Sequence, residues 1–143
     1  MRLKDKVAII TGGSRGIGFA AAEKFLEEGA SVIITASSQA TAEGAVSKLK
    51  EKYPEAAVAG IWPNLASLES VRAAFREVEE RFGGVDILVN NAGVSESTPF
   101  AEYTEEIFNK VMDLNVKGVF HASRAVVESM IKRGGGVILS TSS

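Results

Sequence analysis

Short apolar stretches recur along the chain and alternate with segments of helical periodicity. The apolar stretches are residues 7–11, 31–35, 57–61, 85–89 and 136–140. Most of them are apolar at successive positions and not at alternate ones, so both faces of each predicted strand must be covered. Strands that are buried on both faces are typical of a parallel sheet with helices on either side. The hydrophobic pattern therefore predicts a parallel sheet of five strands.

The segments between these stretches carry apolar side chains at helical spacing. The predicted buried stripes are Ile17, Ala21 and Phe25, then Ala42, Val46, Leu49 and Tyr53, then Val71, Phe75, Val78 and Phe82. Gly29 is placed to end the first helix in a left-handed conformation, and Thr104, which two glutamates follow, is placed to begin the fourth. That helix is predicted to continue to about Arg133, before three glycines. The order βαβαβαβαβ predicts a doubly wound α/β fold, with residues 1–143 in a single domain.

The composition excludes several classes of function. The chain has 143 residues, a net charge of −2 and 45% hydrophobic residues, which is ordinary for a globular domain and provides no basic surface for nucleic acid. It has no cysteine and one histidine, which excludes disulfides, thiolate metal sites and multi-histidine metal sites. No apolar run reaches the roughly 18 residues of a membrane span, and the first residues lack a signal-peptide core. We therefore expect a cytoplasmic protein that binds neither membrane nor nucleic acid.

A glycine-rich turn directly follows the first predicted strand and opens the first helix. It reads TGGSRGIG over residues 11–18. Glycines let a ligand approach bare backbone, and a helix N-terminus offers free N–H groups and the positive end of the helix dipole. This strand–turn–helix context favours the pyrophosphate-binding turn of a dinucleotide site, with an ordinary tight turn as the alternative. The candidate cofactor-binding residues in the turn are Thr11, Gly12, Ser14, Arg15, Gly16, Ile17 and Gly18.

Three motifs together resemble those of the short-chain dehydrogenase/reductase family. The glycines have the spacing Gly-x-x-x-Gly-x-Gly after a threonine, Asn-Asn-Ala-Gly ends the fourth strand at residues 90–93, and residues 138–143 resemble the family's fifth strand, which runs into its catalytic serine. The sequence is similar in style to 3-oxoacyl-carrier-protein reductases and bacterial hydroxysteroid dehydrogenases. The resemblance implies a Rossmann fold, a nicotinamide cofactor, and a cofactor cleft at residues 90–93, with Asn91, Ala92 and Gly93 as cofactor-binding residues.

The end of the second strand indicates which nicotinamide cofactor binds. An NAD site usually has a carboxylate at this place, which accepts a hydrogen bond from the ribose 2′-hydroxyl. In this chain no Asp or Glu occurs between Gly29 and Glu43, whereas Ser37 and Ser38 can donate hydrogen bonds. Arg15 in the glycine turn can supply a positive charge, with a solvated surface arginine as the alternative interpretation. We therefore predict NADP(H) in preference to NAD(H).

Asn64 and Leu65 fall where the resemblance implies contact with the adenine. The family has an aspartate at the first of these positions, and Asn64 keeps a carbonyl acceptor for the adenine amine but loses the charge. It is equally able to cap the helix that follows. His121 is interpreted as packed or solvated, which is more common for a lone helical histidine than a catalytic role. Trp62 and Met112 are interpreted as packing residues.

The resemblance also implies a set of catalytic residues, only part of which is present. Reduction of a carbonyl by hydride transfer develops negative charge on its oxygen, which a donor must stabilise and protonate. By motif, the family's asparagine is Asn115, which interrupts the long helix and anchors a water of the proton relay. The family's serine is Ser143, with Ser142 as a rival that is shifted by one residue. Neither Tyr53 nor Tyr103 belongs to the family's Tyr-x-x-x-Lys motif.

The missing tyrosine and lysine leave three hypotheses open. The leading one is an oxidoreductase that transfers a hydride between NADP(H) and a ketone or secondary alcohol, of which residues 1–143 form the N-terminal part, truncated after the fifth strand. The others are a nucleotide-binding module without catalysis and a structural subunit that pairs with another chain. We expect the 143-residue polypeptide to bind cofactor without turnover, its fifth strand to be an open apolar edge, and the longer parent to be a homo-oligomer.

Overall fold

Five parallel strands form one sheet in the computed structural model, which describes residues 1–142. The strands are β1 (Val7–Ile10), β2 (Ser31–Thr35), β3 (Val58–Ile61), β4 (Ile87–Asn90) and β5 (Val137–Ser140). Each lies within a predicted stretch or extends one residue beyond it. Their order in the sheet is β3-β2-β1-β4-β5, with every pair parallel. The predicted doubly wound sheet is confirmed, and its winding reverses between β1 and β4, where such sheets open a crevice at the carboxyl ends of the strands.

The helices between these strands begin and end close to the predicted signals. They are α1 (Gly16–Glu27), α2 (Gln39–Lys52), α3 (Leu68–Phe82), α4 (Glu105–Met112) and α5 (Gly118–Lys132). Helices α4 and α5 are one predicted helix, which a π-helical turn at Asp113–Lys117 divides. Thr104 caps α4, because its Oγ1 accepts a hydrogen bond of 3.1 Å from the Ile107 N–H, and Gly29 follows α1 with a left-handed φ of +91°. Within residues 1–142, no helix combines the length and the apolar composition that crossing a bilayer requires.

Successive residues of the inner strands pack on opposite faces of the sheet. Ile9 of β1 and Ile33 of β2 lie in a cluster with side chains of α3 and α5. The residues that follow them, Ile10 and Ile34, lie in a second cluster with side chains of α1 and α2. All four isoleucines are fully buried, and burial of one isoleucine side chain contributes about 1.5–3 kcal/mol to the stability of the fold. The uninterrupted apolar stretches are therefore explained by a sheet that needs apolar residues on both faces.

The buried face of α1 differs from the predicted one. The pattern predicts Ile17 on the buried stripe, but its side chain is 72% exposed. The buried residues of α1 are Gly18, Ala22 and Leu26, one position further along. A Cβ on Gly18 would overlap the Gly12 carbonyl oxygen, so the helix approaches the preceding turn through this glycine and its rotation is set by that contact. The prediction is therefore wrong for Ile17, which lines the cleft that is described below, whereas Ala21 and Phe25 are partly buried and pack against the core.

The apolar side chains of β5 are exposed at one edge of the sheet. Val137, Ile138 and Leu139 are between 38% and 51% exposed. Within residues 1–142, β5 pairs with β4 alone, so its outer N–H and C=O groups face solvent, as expected from the sequence. An apolar edge strand with free hydrogen-bonding groups is a template for pairing with another chain.

We expect the 143-residue polypeptide to associate through this edge, and the substitution Leu139→Lys to reduce the association. A lysine on an edge strand disfavours pairing because a second strand would desolvate its charge. Analytical ultracentrifugation over a range of protein concentrations measures the effect. Ile131→Lys is the matched control, since Ile131 is an exposed apolar residue that lies in a helix. An equal reduction by both variants would contradict pairing through β5.

Candidate dinucleotide-binding site

An open cleft lies at the carboxyl ends of the strands, where the winding of the sheet reverses. Its volume is about 1390 Å³, more than the roughly 300–1,000 Å³ of an ordinary small-ligand site, so it suits an extended ligand. The turn after β1, the segments after β2, β3 and β4, and helix α4 line it. Except for α4, these are the segments that the sequence indicates for a dinucleotide.

The glycine turn presents free backbone N–H groups to this cleft, and Ser14, Arg15, Gly16 and Ile17 line it. Gly12 and Gly16 have left-handed φ angles of +64° and +59°, which other residues rarely adopt. A Cβ on Gly16 would meet no atom within 4 Å, so the turn is open at this point. Helix α1 begins at Gly16 without a side-chain cap from Arg15 and without an acidic residue in its first turn. Its N–H groups and the positive end of its dipole are therefore available to an anion such as a pyrophosphate.

Two buried threonines hold the turn from opposite sides. The Oγ1 of Thr11 accepts hydrogen bonds from the N–H groups of Asn91 and Ala92, each at 3.0 Å. The Oγ1 of Thr35, at the end of β2, accepts one from the Gly12 N–H at 3.1 Å. Thr11 is buried and lies outside the cleft lining, so its hydroxyl positions the turn from below. The sequence does not indicate this role of Thr35. The one signal for it is that a polar residue stands at the end of an apolar strand.

Gly18 lies where the turn, α1 and the segment after β4 meet. A Cβ there would overlap the Gly12 carbonyl oxygen and come within 2.5 Å of Asn91 Nδ2. That Nδ2 donates a hydrogen bond of 3.2 Å to the same carbonyl. Gly18 is outside the cleft lining, whereas Asn91, Ala92 and Gly93 are all part of it. The structure thus brings the glycine turn and the Asn-Asn-Ala-Gly segment together, with Gly18 as the residue that allows their close packing.

The two serines after β2 have different surroundings. Ser37 is exposed and lines the cleft. Ser38 is the N-cap of α2, because its Oγ accepts a hydrogen bond from the Thr41 N–H at 3.2 Å and donates one to Thr41 Oγ1 at 2.8 Å. Ser38 is outside the cleft lining, whereas Thr41 is part of it. Arg15 lines the cleft and, within residues 1–142, takes part in no ion pair.

The segment after β3 also lines the cleft, and Asn64 and Leu65 both belong to the lining. The Oδ1 of Asn64 accepts a hydrogen bond of 3.0 Å from the Ala66 N–H, and Ser67 is the N-cap of α3. The alternative in which Asn64 caps α3 is therefore wrong, because its Oδ1 stabilises a local turn before the helix begins. Trp62 is 45% exposed in the same lining. Its interpretation as a packing residue is wrong, because it follows the last residue of β3 at the open end of the sheet.

Comparison with known protein families identifies the chain. The family model described as short chain dehydrogenase matches residues 6–143. The chain belongs to the short-chain dehydrogenase family. It is 53% identical, over 143 residues, to a 3alpha-hydroxysteroid dehydrogenase of Mediterraneibacter gnavus, which corresponds to 100% of this chain and 57% of that relative. It is 38% identical to a 3-oxoacyl-[acyl-carrier-protein] reductase of Vibrio cholerae, and this match also covers 100% of this chain and 57% of the relative.

Solved structures lead to the same family. A levodione reductase superposes on 99% of this chain with a TM-score of 0.93 and 32% sequence identity, and the match covers 55% of that reductase. This short-chain dehydrogenase sequence therefore spans little more than half the length of the relatives it matches. The superposition on the levodione reductase includes the five-stranded sheet.

In this short-chain dehydrogenase chain, the π-helical turn places Asn115 against the segment after β4. The Oδ1 of Asn115 accepts a hydrogen bond from the Val94 N–H and its Nδ2 donates one to the Val94 carbonyl, both at 2.8 Å. A Cβ on Gly93 would lie 3.0 Å from the same Oδ1, so glycine allows this approach. Asn115 is outside the cleft lining. Both polar atoms of its side chain therefore hold Val94, which belongs to the cleft lining.

The second predicted catalytic residue, Ser143, lies outside the described residues. The chain just before it approaches the cleft, because Thr141 Oγ1 donates a hydrogen bond of 3.2 Å to Asn91 Oδ1. Ser142, the alternative, is exposed. The end of β5 is thus directed towards the Asn-Asn-Ala-Gly segment that lines the cleft.

The segment between β4 and α4 forms a polar turn. The Glu96 carboxylate accepts hydrogen bonds from the Thr98 hydroxyl at 2.7 Å and from the Thr98 N–H at 3.2 Å. Because the Thr98 hydroxyl and N–H bind the charged form, they hold the pKa of Glu96 below its ordinary value. Glu96 therefore stays ionised near neutral pH and fixes the shape of this turn.

Proposed function

We propose that the whole protein is an oxidoreductase that transfers a hydride between NADP(H) and a ketone or secondary alcohol, and that residues 1–143 form its dinucleotide-binding domain. The observation that carries the proposal is the uncapped N-terminus of α1, which opens into the cleft behind a glycine turn. A Cβ on Gly12 would come within 2.8 Å of Ala92 Cα, so bare backbone is required where the two lining segments meet. NADP(H), when bound, would supply or accept the hydride.

The surroundings of Ser37 support NADP(H) over NAD(H). A carboxylate at the end of β2 would repel the negative 2′-phosphate of NADP(H). The acidic residues of the cleft lining, Glu105, Glu106 and Asp113, belong to α4 and the π-helical turn. Arg15 and Ser37 both line the cleft, and they offer the charge and the hydrogen-bond donor that a phosphate requires.

Two residues of the chain are proposed for the catalytic machinery. Negative charge develops on the carbonyl oxygen as the hydride is transferred, and a positioned donor stabilises it. We assign that donor to Ser143, and we assign to Asn115 the anchoring of a water for proton transfer while its side chain holds Val94. A Tyr-x-x-x-Lys motif does not occur in residues 1–143. The polypeptide of this length is therefore expected to act as a nucleotide-binding module without turnover.

The class of substrate is supported by the names of the relatives. One relative is a dehydrogenase of a hydroxysteroid, in which the 3-hydroxyl is a secondary alcohol. Another is a reductase of a 3-oxoacyl group, which is a ketone. Both reactions move a hydride to or from one carbon that carries oxygen. A ketone or secondary alcohol is therefore the substrate class that we propose for the whole protein.

An exposed apolar stripe along α4 and α5 supports a homo-oligomer of the whole protein. Phe108, Met112, Val116 and Phe120 follow one another at intervals of four residues, and all are exposed. Four residues exceed one α-helical turn, so such a stripe drifts around a straight helix. The wider π-helical turn in its middle offsets part of this drift and keeps the stripe on one face. A stripe of this kind can pack on the same stripe of a second copy of the protein.

The cytoplasmic location of the whole protein stays a prediction.

Titration of the 143-residue polypeptide with NADPH tests the proposed function. Trp62 is the only tryptophan of the chain and lines the cleft, so its fluorescence reports on an occupant. We expect a saturable change in emission with NADPH, a weaker one with NADH, and no oxidation of NADPH when ketones are added. Absence of saturable binding of either dinucleotide, by fluorescence and by calorimetry, would contradict the proposal. Turnover by this polypeptide would contradict the expectation that it is inactive.

A further inference from the structure

The side chain of His121, in the first turn of α5, reaches across to the segment after β3. Its Nδ1 lies 2.7 Å from the Leu65 carbonyl oxygen. A carbonyl oxygen can only accept a hydrogen bond, so Nδ1 carries a proton and donates it. The ring is partly buried and meets Phe120 at an angle of 66°, with the ring centroids 5.9 Å apart. The imidazole is therefore held in one orientation by the carbonyl and by its packing.

Residues 62–66, which we name the 62–66 loop, form side-chain hydrogen bonds with two other elements, through Ser70 of α3 and His121 of α5. The Asn64 N–H donates to Ser70 Oγ at 2.9 Å, and the Ala66 N–H donates to Asn64 Oδ1 at 3.0 Å. Both bonds hold the loop to itself or to α3. Of the side chains in the described part of the chain, His121 is the one from outside the loop and α3 that hydrogen-bonds to this loop.

The start of α5 lies beside Leu65. A Cβ on Gly118 would lie 3.4 Å from Leu65 Cβ and 3.8 Å from Leu114 Cδ1. Gly118 is buried, and the space for an ordinary Cβ contact is all that separates the start of the helix from Leu65. His121 lies three residues further on, on the same face of the helix, which brings its ring to the Leu65 carbonyl.

The same interrupted helix also holds the other wall of the cleft. Asn115, in the π-helical turn, hydrogen-bonds to both backbone groups of Val94. His121, six residues later, hydrogen-bonds to Leu65. One continuous element thus fixes the distance between the segment after β4 and the 62–66 loop.

The position of the 62–66 loop determines which half of a dinucleotide it contacts. Strand β3 is the neighbour of β2 on the side away from β1 and β4. The loop therefore lies on the side of the glycine turn where Ser37 and Arg15 offer groups for a 2′-phosphate. The 2′-phosphate belongs to the adenosine half of NADP(H), so this half is the one that the loop contacts.

We propose that His121 is a positioning residue for the adenosine half of the bound dinucleotide. By holding the Leu65 carbonyl, it fixes the 62–66 loop as the wall on which this half rests. The proposal rests on the proposed function of the cleft. His121 lies outside the cleft lining, whereas Leu65 belongs to it, so His121 acts through Leu65 and not by contact with cofactor or substrate.

The test compares His121→Leu, which removes the donor, with His121→Asn, whose Nδ2 takes the place of Nδ1. Calorimetry and Trp62 fluorescence give the Kd for NADPH and for 2′,5′-ADP, which represents the adenosine half alone. We expect His121→Leu to weaken both ligands by the same factor, roughly 3-fold to 10-fold, as for the loss of one hydrogen bond. His121→Asn is expected to restore most of the affinity. Lys132→Leu, in the last turn of α5, is the control that leaves both affinities unchanged.

A larger loss for NADPH than for 2′,5′-ADP would show a general disturbance of the cleft and would overturn the proposal. Equal impairment in His121→Asn and His121→Leu, or no impairment in either, would also overturn it. Nitrogen NMR of the imidazole is an independent check, since a neutral ring with its proton on Nε2 contradicts the bond to Leu65. Wild-type protein that binds neither ligand refutes the proposed function as well, whereas normal binding by both wild type and His121→Leu refutes only the role of His121.

Discussion

Replacing Gly18 by alanine is expected to lower the affinity for NADPH by about 100-fold. The new Cβ would overlap the Gly12 carbonyl oxygen and meet Asn91 Nδ2. Neither group can move alone, since the first is backbone in the turn and the second donates a hydrogen bond to it. The turn must therefore shift, and a 100-fold weaker affinity is about 2.8 kcal/mol, roughly the loss of two or three hydrogen bonds between the turn and the ligand. NADPH titration measures the loss, and thermal unfolding shows whether the variant is folded.

Two other glycines provide controls for this substitution. Gly44, in α2, has open space where a Cβ would lie, so Gly44→Ala should stabilise the fold by about 0.5–1 kcal/mol and leave the NADPH affinity unchanged. A substitution at Gly16 distinguishes backbone strain from steric overlap, because the φ of Gly16 is +59° but no atom lies within 4 Å of the position of a Cβ. Gly16→Ala is expected to have an intermediate effect. An NADPH affinity in Gly18→Ala equal to that in Gly44→Ala would contradict the role of Gly18.

The strands of this fold are predictable from sequence because each residue of an inner strand must be apolar to be buried, independently of its neighbours. Ile9 and Ile10 are neighbours that pack on opposite faces of the sheet, so both must be apolar whatever the details of packing. Helix α1 is different, since two stripes one residue apart are both compatible with its sequence. The contact of Gly18 with Gly12 decides between them and leaves Ile17 exposed. Local periodicity contains no information about that contact.

The glycine motif locates the site but does not separate the residues that face a ligand from those that support the turn. Gly16 and Arg15 line the cleft, whereas Thr11 and Gly18 lie outside its lining and hold the turn to its neighbours. The chain changes direction twice in this motif, at glycines with positive φ angles, and no periodic pattern describes which side each residue takes. The structure is needed for that distinction.

Contacts between distant segments are the part of the site that the sequence does not reveal. His121 and Leu65 are 56 residues apart, and Asn115 and Val94 are 21 apart. In both pairs the partner is a backbone group, which every residue type provides. No residue pattern at position 65 or 94 therefore signals that a side chain will bind there. His121 is predictable as partly packed, but its hydrogen bond is not.

The substitution Ser37→Asp is expected to reverse the preference between the two cofactors. Ser37 lines the cleft after β2, where a carboxylate would repel the 2′-phosphate of NADPH and accept a hydrogen bond from the 2′-hydroxyl of NADH. We expect roughly 100-fold weaker binding of NADPH and about 10-fold tighter binding of NADH. Titrations at low and high salt measure both, and the loss for NADPH should be smaller at high salt because Ser37 is exposed.

Ser47→Asp is the control, since it makes the same change of charge at an exposed residue of α2 outside the cleft lining. Exposed charges that are separated by more than about 8–10 Å are largely screened at physiological salt, so both affinities should stay close to those of the wild type. Equal losses from both variants would mean that net charge sets the preference. If Ser37→Asp bound NADPH as the wild type does, the 2′-phosphate would not lie at the end of β2. The assignment of NADP(H) would then lose its support from Ser37 and Arg15 together.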